Sequence, residues 1–552
     1  MTSRRLRIVP EPHAGAAARA ERRVPTLLGL VALASAAVLA HLPALWTSFI
    51  ADDYTMLRTI RRSTGLLWPF THNDVGEPGS AGHFYRPFWI LWNDAIHAIF
   101  GANAVAFHAA NLVLFAVITL EVWLLARLLL GAGAAWVAGA AFALYPRHGE
   151  SVDWISGNTD LVAAALGLAA LLSLFAPWPL WGRTAAASAL TAGAALSKEI
   201  AFALPVLAVL VLLAARAGDR RARPTDRWLP VAAIAFVALA ALVVRSAVLG
   251  TVGGYTEYPW RPLRVVASLA SYVVASVTPP QLQVLRHPEL LVVPVLVLAL
   301  VAWGVWRLRT TGDGRVRRVA VVGAAWFLVT LAPTLNLAVD LNTANGERLL
   351  FLPSVGLALV FAALVEAARS RWRAVALAGA ALAVGAITVQ NAHNWLVGGR
   401  IADRVLEATI ALGPRDGKLV LLSVPDSYRS AHVFHGSLDV AVEQAGRTDL
   451  AISACLPVQV LTQRPSQVVF APAPGGAYEG RTTWSAPFDF PVLRRATASL
   501  TPGCSYERAD GERWPIGLGI VGRAFPSPPE GTVALAFFDG YTVLPWPPPP
   551  AG

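Results

Sequence analysis

The stretch AVAFHAANLVLFAVITLEVWLLA, residues 104–126, decides the fold. As a helix it is long enough to cross the roughly 30 Å hydrocarbon core of a membrane. Similar runs of Ala, Leu and Val recur between residues 25 and 395. The chain of 552 residues is 55% hydrophobic and 14% charged, with a mean hydropathy of +0.54, whereas soluble domains carry about 25% charged residues. The sequence therefore predicts an all-α polytopic membrane protein.

About eleven segments are predicted to span the membrane. They are 25–45, 104–126, 133–146, 158–176, 180–195, 199–215, 228–249, 289–306, 319–338, 349–367 and 373–391. The first is interpreted as an uncleaved span, because it is longer than the apolar core of a signal peptide. The segment 263–280 is ambiguous, because four Ser and Thr residues interrupt it and Pro279-Pro280 ends it.

Loop arginines predict the orientation. Loops 216–227, 307–318 and 368–373 are rich in arginine, as is the N-terminal segment 1–24. All four fall on one side only if 263–280 does not cross, so we expect that segment to be an interfacial or re-entrant helix on the outer side. The positive-inside rule then predicts a cytoplasmic N-terminus, a transmembrane domain at 25–395 and an extracytoplasmic domain at 400–552. The protein is expected in the cell (inner or plasma) membrane.

The net charge of +11 has two interpretations. A nucleic-acid partner would need a basic face that follows phosphates, whereas membrane orientation needs cations in short loops. Lys198 and Lys418 are the only lysines, and the arginines lie in short loops between apolar runs. The sequence therefore favours membrane lipid as the environment and predicts no nucleic-acid partner.

The first outer segment carries two adjacent carboxylates, Asp52 and Asp53, directly after the first span. Neighbouring carboxylates disfavour each other's ionisation, and the nearby bilayer disfavours charge further. Such a pair suits a general base or a cation site. The alternative is a solvated helix end.

Three further polar clusters are predicted on the same outer face as this pair and the neighbouring residues His83, Tyr85 and Arg86. They contain His148, Glu150, Asp153 and Asp160, then Lys198 and Glu199, then Glu347 and Arg348. Ionisable groups at membrane depth are rare and generally mark a site or a pathway. Convergence of these clusters on one face predicts a functional site there.

The mixture of charges indicates the chemistry of this site. Carboxylates accept a proton or hold a divalent cation, and Arg86, Lys198 and Arg348 suit phosphate. The combination fits an anionic phospho-sugar lipid whose phosphate leaves during substitution. No cofactor is certain, and a divalent cation is the only candidate. A zinc site is disfavoured, since His148 and Glu150 lack the i, i+4 spacing of a helical zinc pair.

The order of the motifs resembles the membrane half of GT-C glycosyltransferases, particularly the bacterial and animal transmembrane-and-tetratricopeptide O-mannosyltransferases, with protein O-mannosyltransferases more distant. The matching pieces are Asp52-Asp53, Tyr85-Arg86-Pro87, Phe107-His108-x-x-Asn111, Tyr145-Pro146-x-His148-x-Glu150-x-Val152-x-Trp154-Ile155-Ser156-Gly157, Ser197-Lys198-Glu199 and Glu347-Arg348-Leu349-x-Phe351-Leu352-Pro353-Ser354. The resemblance implies a GT-C-like fold with a catalytic carboxylate at Asp52 or Asp53. It also implies a polyprenyl- or dolichyl-phosphate donor of a mannose-like sugar, and a protein or glycan hydroxyl acceptor outside the cytoplasm.

The sequence departs from that family after the last span, because 400–552 shows no 34-residue helical repeat. The pattern instead predicts a helix at 400–412, a strand at 418–423 and a strand-rich remainder, so the domain is expected to be α/β or β-rich. Cys455 and Cys504 are either a disulfide or two free thiols. By position alone, the domain could bind the acceptor or cover the site.

Two other functions fit a polytopic membrane protein. A transporter or lipid flippase would show inverted repeats and broken spans near the midplane. The sequence has no internal repeat, and its polar groups collect at one face. A non-catalytic scaffold for cell-surface polysaccharide assembly would keep the fold with a degenerate site.

Overall fold

The structure is a computed structural model. It describes residues 14–72, 84–215, 224–251, 260–280, 299, 302, 304–310, 313–339, 345–368, 373–434, 436–460, 468–473, 477–482, 505–507, 513–515, 523–525, 533–539 and 541–546.

Helices dominate the part before residue 413. The α-helices are α1 (Ala14–Ala40), α2 (Asp53–Arg62), α3 (Trp68–Thr71), α4 (Pro87–Phe100), α5 (Ala104–Leu129), α6 (Ala132–Ala143), α7 (Gly149–Val152), α8 (Thr159–Ser173), α9 (Leu180–Ala195), α10 (Leu204–Ala215), α11 (Pro224–Leu249), α12 (Pro262–Val277), α13 (Gly314–Leu331), α14 (Phe351–Ala367), α15 (Arg373–Leu412) and α16 (Leu438–Gln444). Short 3₁₀ turns cover Leu42–Trp46, Ser156–Asn158, Glu199–Ala203, Ala332–Thr334 and Glu347–Leu350.

Six helices of the described chain are long and apolar enough to cross a membrane, within 104–129, 156–173, 226–249, 314–334, 347–367 and 374–412. Four shorter apolar helices, 26–40, 132–143, 199–215 and 262–277, accompany them. The prediction of a helical membrane protein is therefore confirmed. The count of eleven spans stays a prediction, because most of the predicted span 289–306 lies outside the described residues.

The bundle is built around α5, which contacts α1, α6 and α8. Its core consists of Ala, Leu, Val and Phe side chains from these helices and from α10, α13 and α14. Small residues allow the helix backbones to approach each other most closely. A Cβ added to Gly323 of α13 would lie 2.7 Å from the carbonyl oxygen of Gly356 in α14. Glycine at these positions lets the two backbones touch, as is common between membrane helices.

Helix α12 corresponds to the ambiguous segment. Its 16 residues give a length of about 24 Å, shorter than the roughly 30 Å hydrocarbon core. The chain directly after it is anchored by Arg147, whose Nε donates to Thr278 O at 3.1 Å and whose Nη2 donates to Pro279 O at 2.8 Å. The end of α12 therefore lies beside the 146–160 loop, on the side where the polar clusters are found. An interfacial or re-entrant position remains the prediction.

Helix α15 joins two elements that were predicted separately, the last span at 373–391 and the helix at 400–412. Its 40 residues extend for about 60 Å, roughly twice the hydrocarbon thickness. The helix is continuous because the intervening sequence, AHNWLVGGR, contains no proline. A single helix thus connects the bundle to the C-terminal region.

The described C-terminal strands are β1 (Gly417–Tyr428), β2 (Ala431–His432), β3 (Leu450–Val460), β4 (Val468–Ala473), β5 (Ala477–Thr482), β6 (Ser505–Glu507), β7 (Arg513–Pro515), β8 (Arg523–Phe525), β9 (Val533–Phe538) and β10 (Val543–Trp546). Strand β1 is central: β3 and β9 pair with it in parallel, β2 pairs with it antiparallel, and β10 pairs antiparallel with β9. Helix α16 connects β2 to β3. The side chain of Cys455, all of Cys504 and the polyproline segment 547–550 lie outside the described residues.

Candidate functional site

The two adjacent aspartates occupy different environments at the start of α2. Asp53 is fully buried, and its carboxylate accepts three hydrogen bonds. Ser156 N and Ser156 Oγ donate to Oδ1 at 2.8 and 2.7 Å, and Ile50 N donates to Oδ2 at 3.1 Å. Burial raises the pKa of Asp53 to about 7, although these hydrogen bonds act in the opposite direction. The bonds to Ser156 join Asp53, at the start of α2, to the 146–160 loop.

Asp52 is half-buried, and its carboxylate makes no hydrogen bond or ion pair within the described residues. Its backbone carbonyl begins the ladder of α2 by accepting from Met56 N at 2.8 Å. The negative charge of Asp52 contributes to the raised pKa of Asp53. Of the pair, Asp52 is thus the carboxylate that is available to a ligand.

Three buried asparagines fix the loop that holds Asp53. Asn158 Nδ2 donates to Asn93 Oδ1 and to Asn111 Oδ1, both at 3.0 Å, and Asn158 Oδ1 accepts from Trp89 Nε1. Asn111 Nδ2 lies 3.4 Å from the carbonyl oxygens of Val152 and Trp154. Because each amide has a partner in a buried setting, this network holds the loop in one conformation. The position of Asn111 explains why an amide occurs on the largely apolar α5.

Glu150 lies at the centre of a second set of contacts. Arg348 donates to it twice, from Nη1 to Oε1 at 2.7 Å and from its backbone N to Oε2 at 2.9 Å. His432 of β2 lies 3.2 Å from Oε1. Burial alone would raise the pKa of Glu150, but Arg348 and His432 outweigh it and lower the pKa to about 2. The guanidinium of Arg348 also lies 5.3 Å from the ring of Trp154.

The partner of Glu347 is Arg147, not its neighbour Arg348. Arg147 is completely buried and donates from Nη1 to Glu347 Oε1 at 2.5 Å. The carboxylate of Glu347 therefore pairs with a residue 200 positions earlier in the chain. A 3₁₀ turn begins at Glu347, and the two side chains are directed to different partners. Arg147 and Glu347 together tie the 146–160 loop to the residues after α12 and to the start of α14.

The third set of contacts is rich in cations. Lys198 donates to Asp160 Oδ2, and both side chains are buried. Glu199 accepts from Arg86 at 3.0 Å and from Arg245 at 2.7 Å. Arg86 and Arg348 both lie close enough to influence the charges of Lys198 and Asp160. We call Arg86, Lys198, Arg245 and Arg348 the basic cluster.

The basic cluster contains buried N–H donors that have no acceptor among the described residues. Within the part of the chain that the structure describes, its four cations contact the carboxylates of Glu150, Asp160 and Glu199. Within the described residues, Nε and Nη2 of Arg245 and Nε of Arg86 are buried without a hydrogen-bond partner. The Arg245 side chain is only 4% exposed. Buried N–H donors without acceptors cost free energy, so the arrangement suits an additional anion.

Other predicted residues lie outside this constellation. His148 is buried among the rings of Phe115, Phe142, Tyr145 and Phe351, and its Nε2 lies 2.9 Å from Ser354 Oγ. Burial lowers the pKa of His148 well below its ordinary value. These contacts give His148 a packing role. Asp153, whose pKa burial raises, pairs with His41 at 2.7 Å.

Tyr85 and His83 complete the predicted residues. Tyr85 is buried, and its hydroxyl donates to Phe70 O at 3.0 Å, so it braces α3 against the start of α4. His83 lies outside the described residues.

The described residues do not fit a divalent cation. No group of three or more His, Cys, Asp or Glu side chains gathers within them. The carboxylate oxygens of Asp53 and Glu150 are already hydrogen-bonded to protein donors. We therefore derive no chemical step through a metal.

Sequence reasoning missed three functional candidates. Nothing in the sequence distinguishes Arg147 from the other residues of its loop. Arg245 lies inside the predicted span 228–249, where an arginine is itself a signal of a functional site. His432 gave no usable signal, because only the tertiary fold brings β2 against Glu150.

The fold and these contacts define a polytopic membrane protein with a buried, charged site at one end of its helical bundle. The chain is similar to Protein O-mannosyl-transferase TMTC1 of Mus musculus, with 32% identity over 181 residues that cover 30% of this chain and 19% of the relative. It is also similar to Protein O-mannosyl-transferase TMTC2 of Homo sapiens, with 35% identity over 142 residues that cover 24% of this chain and 17% of the relative. The predicted resemblance is confirmed. The chain spans less than a fifth of the length of these relatives.

Solved structures with weaker similarity include ArnT from Cupriavidus metallidurans bound to undecaprenyl phosphate, with a TM-score of 0.42, 12% identity, and coverage of 77% of this chain and 85% of that chain. Archaeal oligosaccharyltransferase AglB from Archaeoglobus fulgidus gives a TM-score of 0.42 and 15% identity, and covers 67% of this chain and 56% of that chain. No protein-family model matches the chain.

Proposed function

We propose that the protein is a membrane glycosyltransferase that transfers a mannose-like sugar from a polyprenyl-phosphate donor to a hydroxyl of a protein or glycan acceptor. One observation carries the proposal. The 146–160 loop connects the available carboxylate of Asp52 to a buried cluster of cations whose N–H donors lack acceptors among the described residues. Asp53 bonds to Ser156, and Arg348 stacks over Trp154 of the same loop. A proton acceptor and an anion site are the two elements that such a transfer needs.

The proposed reaction is a single substitution at the anomeric carbon of the sugar. Asp52 accepts the proton of the acceptor hydroxyl while the hydroxyl oxygen forms a bond to that carbon. The bond from the carbon to the phosphate oxygen breaks, and its electron pair leaves with the lipid phosphate. The basic cluster stabilises the negative charge that develops on the phosphate. Asp53 is a positioning residue, because protein donors occupy both of its oxygens.

The relatives support the sugar and the reaction class, since those reported above are named O-mannosyl-transferases. They do not favour the transporter or flippase alternative. The choice of acceptor depends on parts of the relatives that this chain does not match. The scaffold alternative predicts the same fold without turnover.

The decisive experiment is a transfer assay with purified, full-length protein. Polyprenyl-phosphate mannose and the corresponding glucose and arabinose donors are incubated with the protein, and release of polyprenyl phosphate is measured with and without acceptor peptides or glycans. We expect release from at least one donor and its loss in Asp52→Asn. Folded protein that releases no lipid phosphate from any donor would favour the scaffold.

The proposed orientation places the N-terminus (1–24) in the cytoplasm, about eleven spans in 25–395, and the domain at 400–552 outside. A reporter fused after Gly552 should then be active only outside the cytoplasm, and protease added to intact spheroplasts should remove the chain beyond about residue 400. Protection of the tail would mean that 263–280 crosses the membrane and that the orientation of everything after it is reversed.

A further inference from the structure

The residue before Asp52 has an unusual backbone conformation. Ala51 has a φ angle of 45°, in the left-handed region, and is completely buried. An L-residue with a Cβ rarely adopts this region, whereas glycine adopts it readily. Strain of this kind persists only where the surrounding structure imposes it. The surroundings of Ala51 therefore determine where Asp52 points.

The C-terminal domain supplies that constraint. Ala51 N donates to Val433 O at 2.8 Å, and Ser437 Oγ donates to Ala51 O at 2.7 Å. Tyr54 N also donates to Ala51 O, at 3.3 Å. The Ser437 hydroxyl lies 2.7 Å from Phe434 O as well, but that oxygen already accepts from Ser437 N at 2.8 Å. We call the Val433 carbonyl and the Ser437 hydroxyl the Ala51 clamp.

Other contacts hold the same part of the C-terminal domain over the site. Gln444 of α16 donates to Tyr54 O, and Glu443 lies 3.7 Å from Arg58 of α2. On the other side of the clamp, His432 contacts Glu150. Ile50, Ala51, Tyr54 and Trp154 share one apolar core with residues of β1, α15 and α16. The clamp is thus embedded in a packed interface.

We propose that Ser437 is a positioning residue, which holds Ala51 in its left-handed conformation and so aims Asp52 at the acceptor hydroxyl. The inference rests on the proposed function, for which Asp52 is the proton acceptor. When the hydroxyl is removed, the clamp keeps only the bond from Ala51 N to Val433 O. The strained residue then relaxes more easily toward a right-handed or extended conformation, which changes the direction of Asp52. The C-terminal domain then contributes to the reaction without touching the substrate.

The test uses a second substitution that should restore activity only if Ser437 acts through the conformation of Ala51. Loss of one hydrogen bond should shift the equilibrium between the left-handed and relaxed conformations of Ala51 by about five- to tenfold. Removing the strain of one left-handed residue should shift it back by a similar factor. Ser437→Ala is therefore expected to lower kcat about five- to tenfold with little change in the KM of the lipid donor. Ala51→Gly in the same protein removes the cost of the left-handed conformation and should restore kcat to within about threefold of the wild-type value.

Ser423→Ala is the matched control. Ser423 Oγ is buried, donates to Phe538 O at 3.1 Å and accepts from Phe538 N at 2.9 Å, entirely within the C-terminal sheet. The control loses the same chemical group from the same domain, and its kcat is expected to stay near the wild-type value. If Ser437→Ala does not fold, Ser437→Cys keeps the side-chain volume with a weaker donor and should show a smaller loss of kcat.

Hydrogen exchange of the peptide 47–56 provides a readout that does not depend on turnover. Ser437→Ala should speed its exchange, and adding Ala51→Gly should slow it again. If the wild-type protein transfers no sugar, the proposed function fails and exchange still decides the clamp. The clamp is overturned if exchange is unchanged in Ser437→Ala, or if the double variant is no better than Ser437→Ala alone.

Discussion

The carboxylate loop Ile50–Asp53 and the basic cluster differ in how many of their buried polar groups have a hydrogen-bond partner in the protein. In the loop, each oxygen of Asp53 has a protein donor, and both backbone groups of Ala51 are bonded. In the basic cluster, buried N–H groups of Arg86 and Arg245 have no acceptor within the described residues. The buried groups of Ala51 and Asp53 therefore need no further partner, whereas the basic cluster suits an additional anion.

The difference separates positioning from binding. A buried polar group whose hydrogen bonds are all made is held in one conformation at little cost in free energy. A buried donor without an acceptor carries a desolvation penalty of about 1–3 kcal/mol. A bound phosphate would remove that penalty by supplying acceptor oxygens to the guanidinium groups. Asp52 is the exception within the loop, because it lies between the bonded residues Ala51 and Asp53 and its own carboxylate is open to a ligand.

The largest expected effect is that of replacing each of the two adjacent aspartates with asparagine. Asp52→Asn removes the proton acceptor, and we expect it to lower kcat by about 10²–10⁴-fold. Its thermal stability should stay near the wild-type value, because the Asp52 carboxylate bonds to no described residue. Asp53→Asn should lower activity and also change stability, since Asn places a donor opposite one of the present donors. Lipid-phosphate release and thermal unfolding in detergent measure the two effects.

Asp94→Asn is the matched control for both variants, because Asp94 lies on α4, in the same segment between α1 and α5, and its side chain makes no ion pair with a described residue. Full activity in both Asp52→Asn and Asp53→Asn would remove the assignment of a general base to this pair.

The buried carboxylate of Asp53 should also make stability depend on pH. In the folded protein its pKa is about 7, against an ordinary value of 3.8, so the folded state retains the proton over a range where the unfolded chain has lost it. The free energy of unfolding should therefore decrease as pH rises from about 4 to about 7, by at most about 4 kcal/mol.

The measurement is the difference in melting temperature between the wild-type protein and Asp53→Asn at several pH values. The wild-type protein should lose stability relative to the variant as pH rises, because Asn cannot ionise. A difference that stays constant from pH 4 to pH 8 would contradict the raised pKa.

Much of the fold followed from the sequence, since apolar length and arginine-rich loops are local properties of the chain. Ten of the predicted spans overlap a described helix. The sequence does not predict the merging of 373–391 and 400–412 in α15, because the segment between them is more polar and contains Gly398-Gly399, although it contains no proline. The polar clusters were found for a similar reason: charged residues beside apolar runs are visible without a structure.

The pairing within the site could not be predicted from the same signals. Adjacent residues such as Glu347 and Arg348 invite pairing, but a 3₁₀ turn sends them to Arg147 and Glu150, about 200 positions away in the chain. Likewise, the contact of His432 with Glu150 requires the C-terminal region to fold back on the 146–160 loop. Long-range contacts of this kind depend on the packed structure and leave no periodic pattern.

Arg245 offers a sharper test of the basic cluster. Arg245→Met removes a buried cation while Glu199 keeps its bond to Arg86 at 3.0 Å, so the fold should persist. Hydrogen bonds to charged groups contribute about 1.5–3 kcal/mol, which corresponds to a rise of about 10–100-fold in the KM of the lipid donor. Arg127→Met, an exposed arginine 5.0 Å from the ring of Trp123, is the control. An unchanged KM in Arg245→Met would exclude this residue from the phosphate site.

The smallest expected effect is that of Arg348→Lys. The guanidinium of Arg348 already donates to Glu150 at 2.7 Å, and its side chain is 24% exposed. If the guanidinium also holds the donor phosphate, lysine will keep the charge but lose the planar, two-pronged geometry. We expect the KM of the lipid donor to rise about three- to tenfold, with little loss of thermal stability, because a lysine at this position could still pair with Glu150.

Arg404→Lys is the matched control for Arg348→Lys. Arg404 lies 4.3 Å from the ring of Tyr541, so both variants exchange an arginine that stacks on an aromatic ring, and Arg404 belongs to none of the site contacts. The comparison separates phosphate binding from helix anchoring, since anchoring needs only a cation on a long side chain. Donor kinetics in Arg348→Lys that match those of Arg404→Lys would leave Arg348 with its structural bond to Glu150 and remove it from the phosphate site.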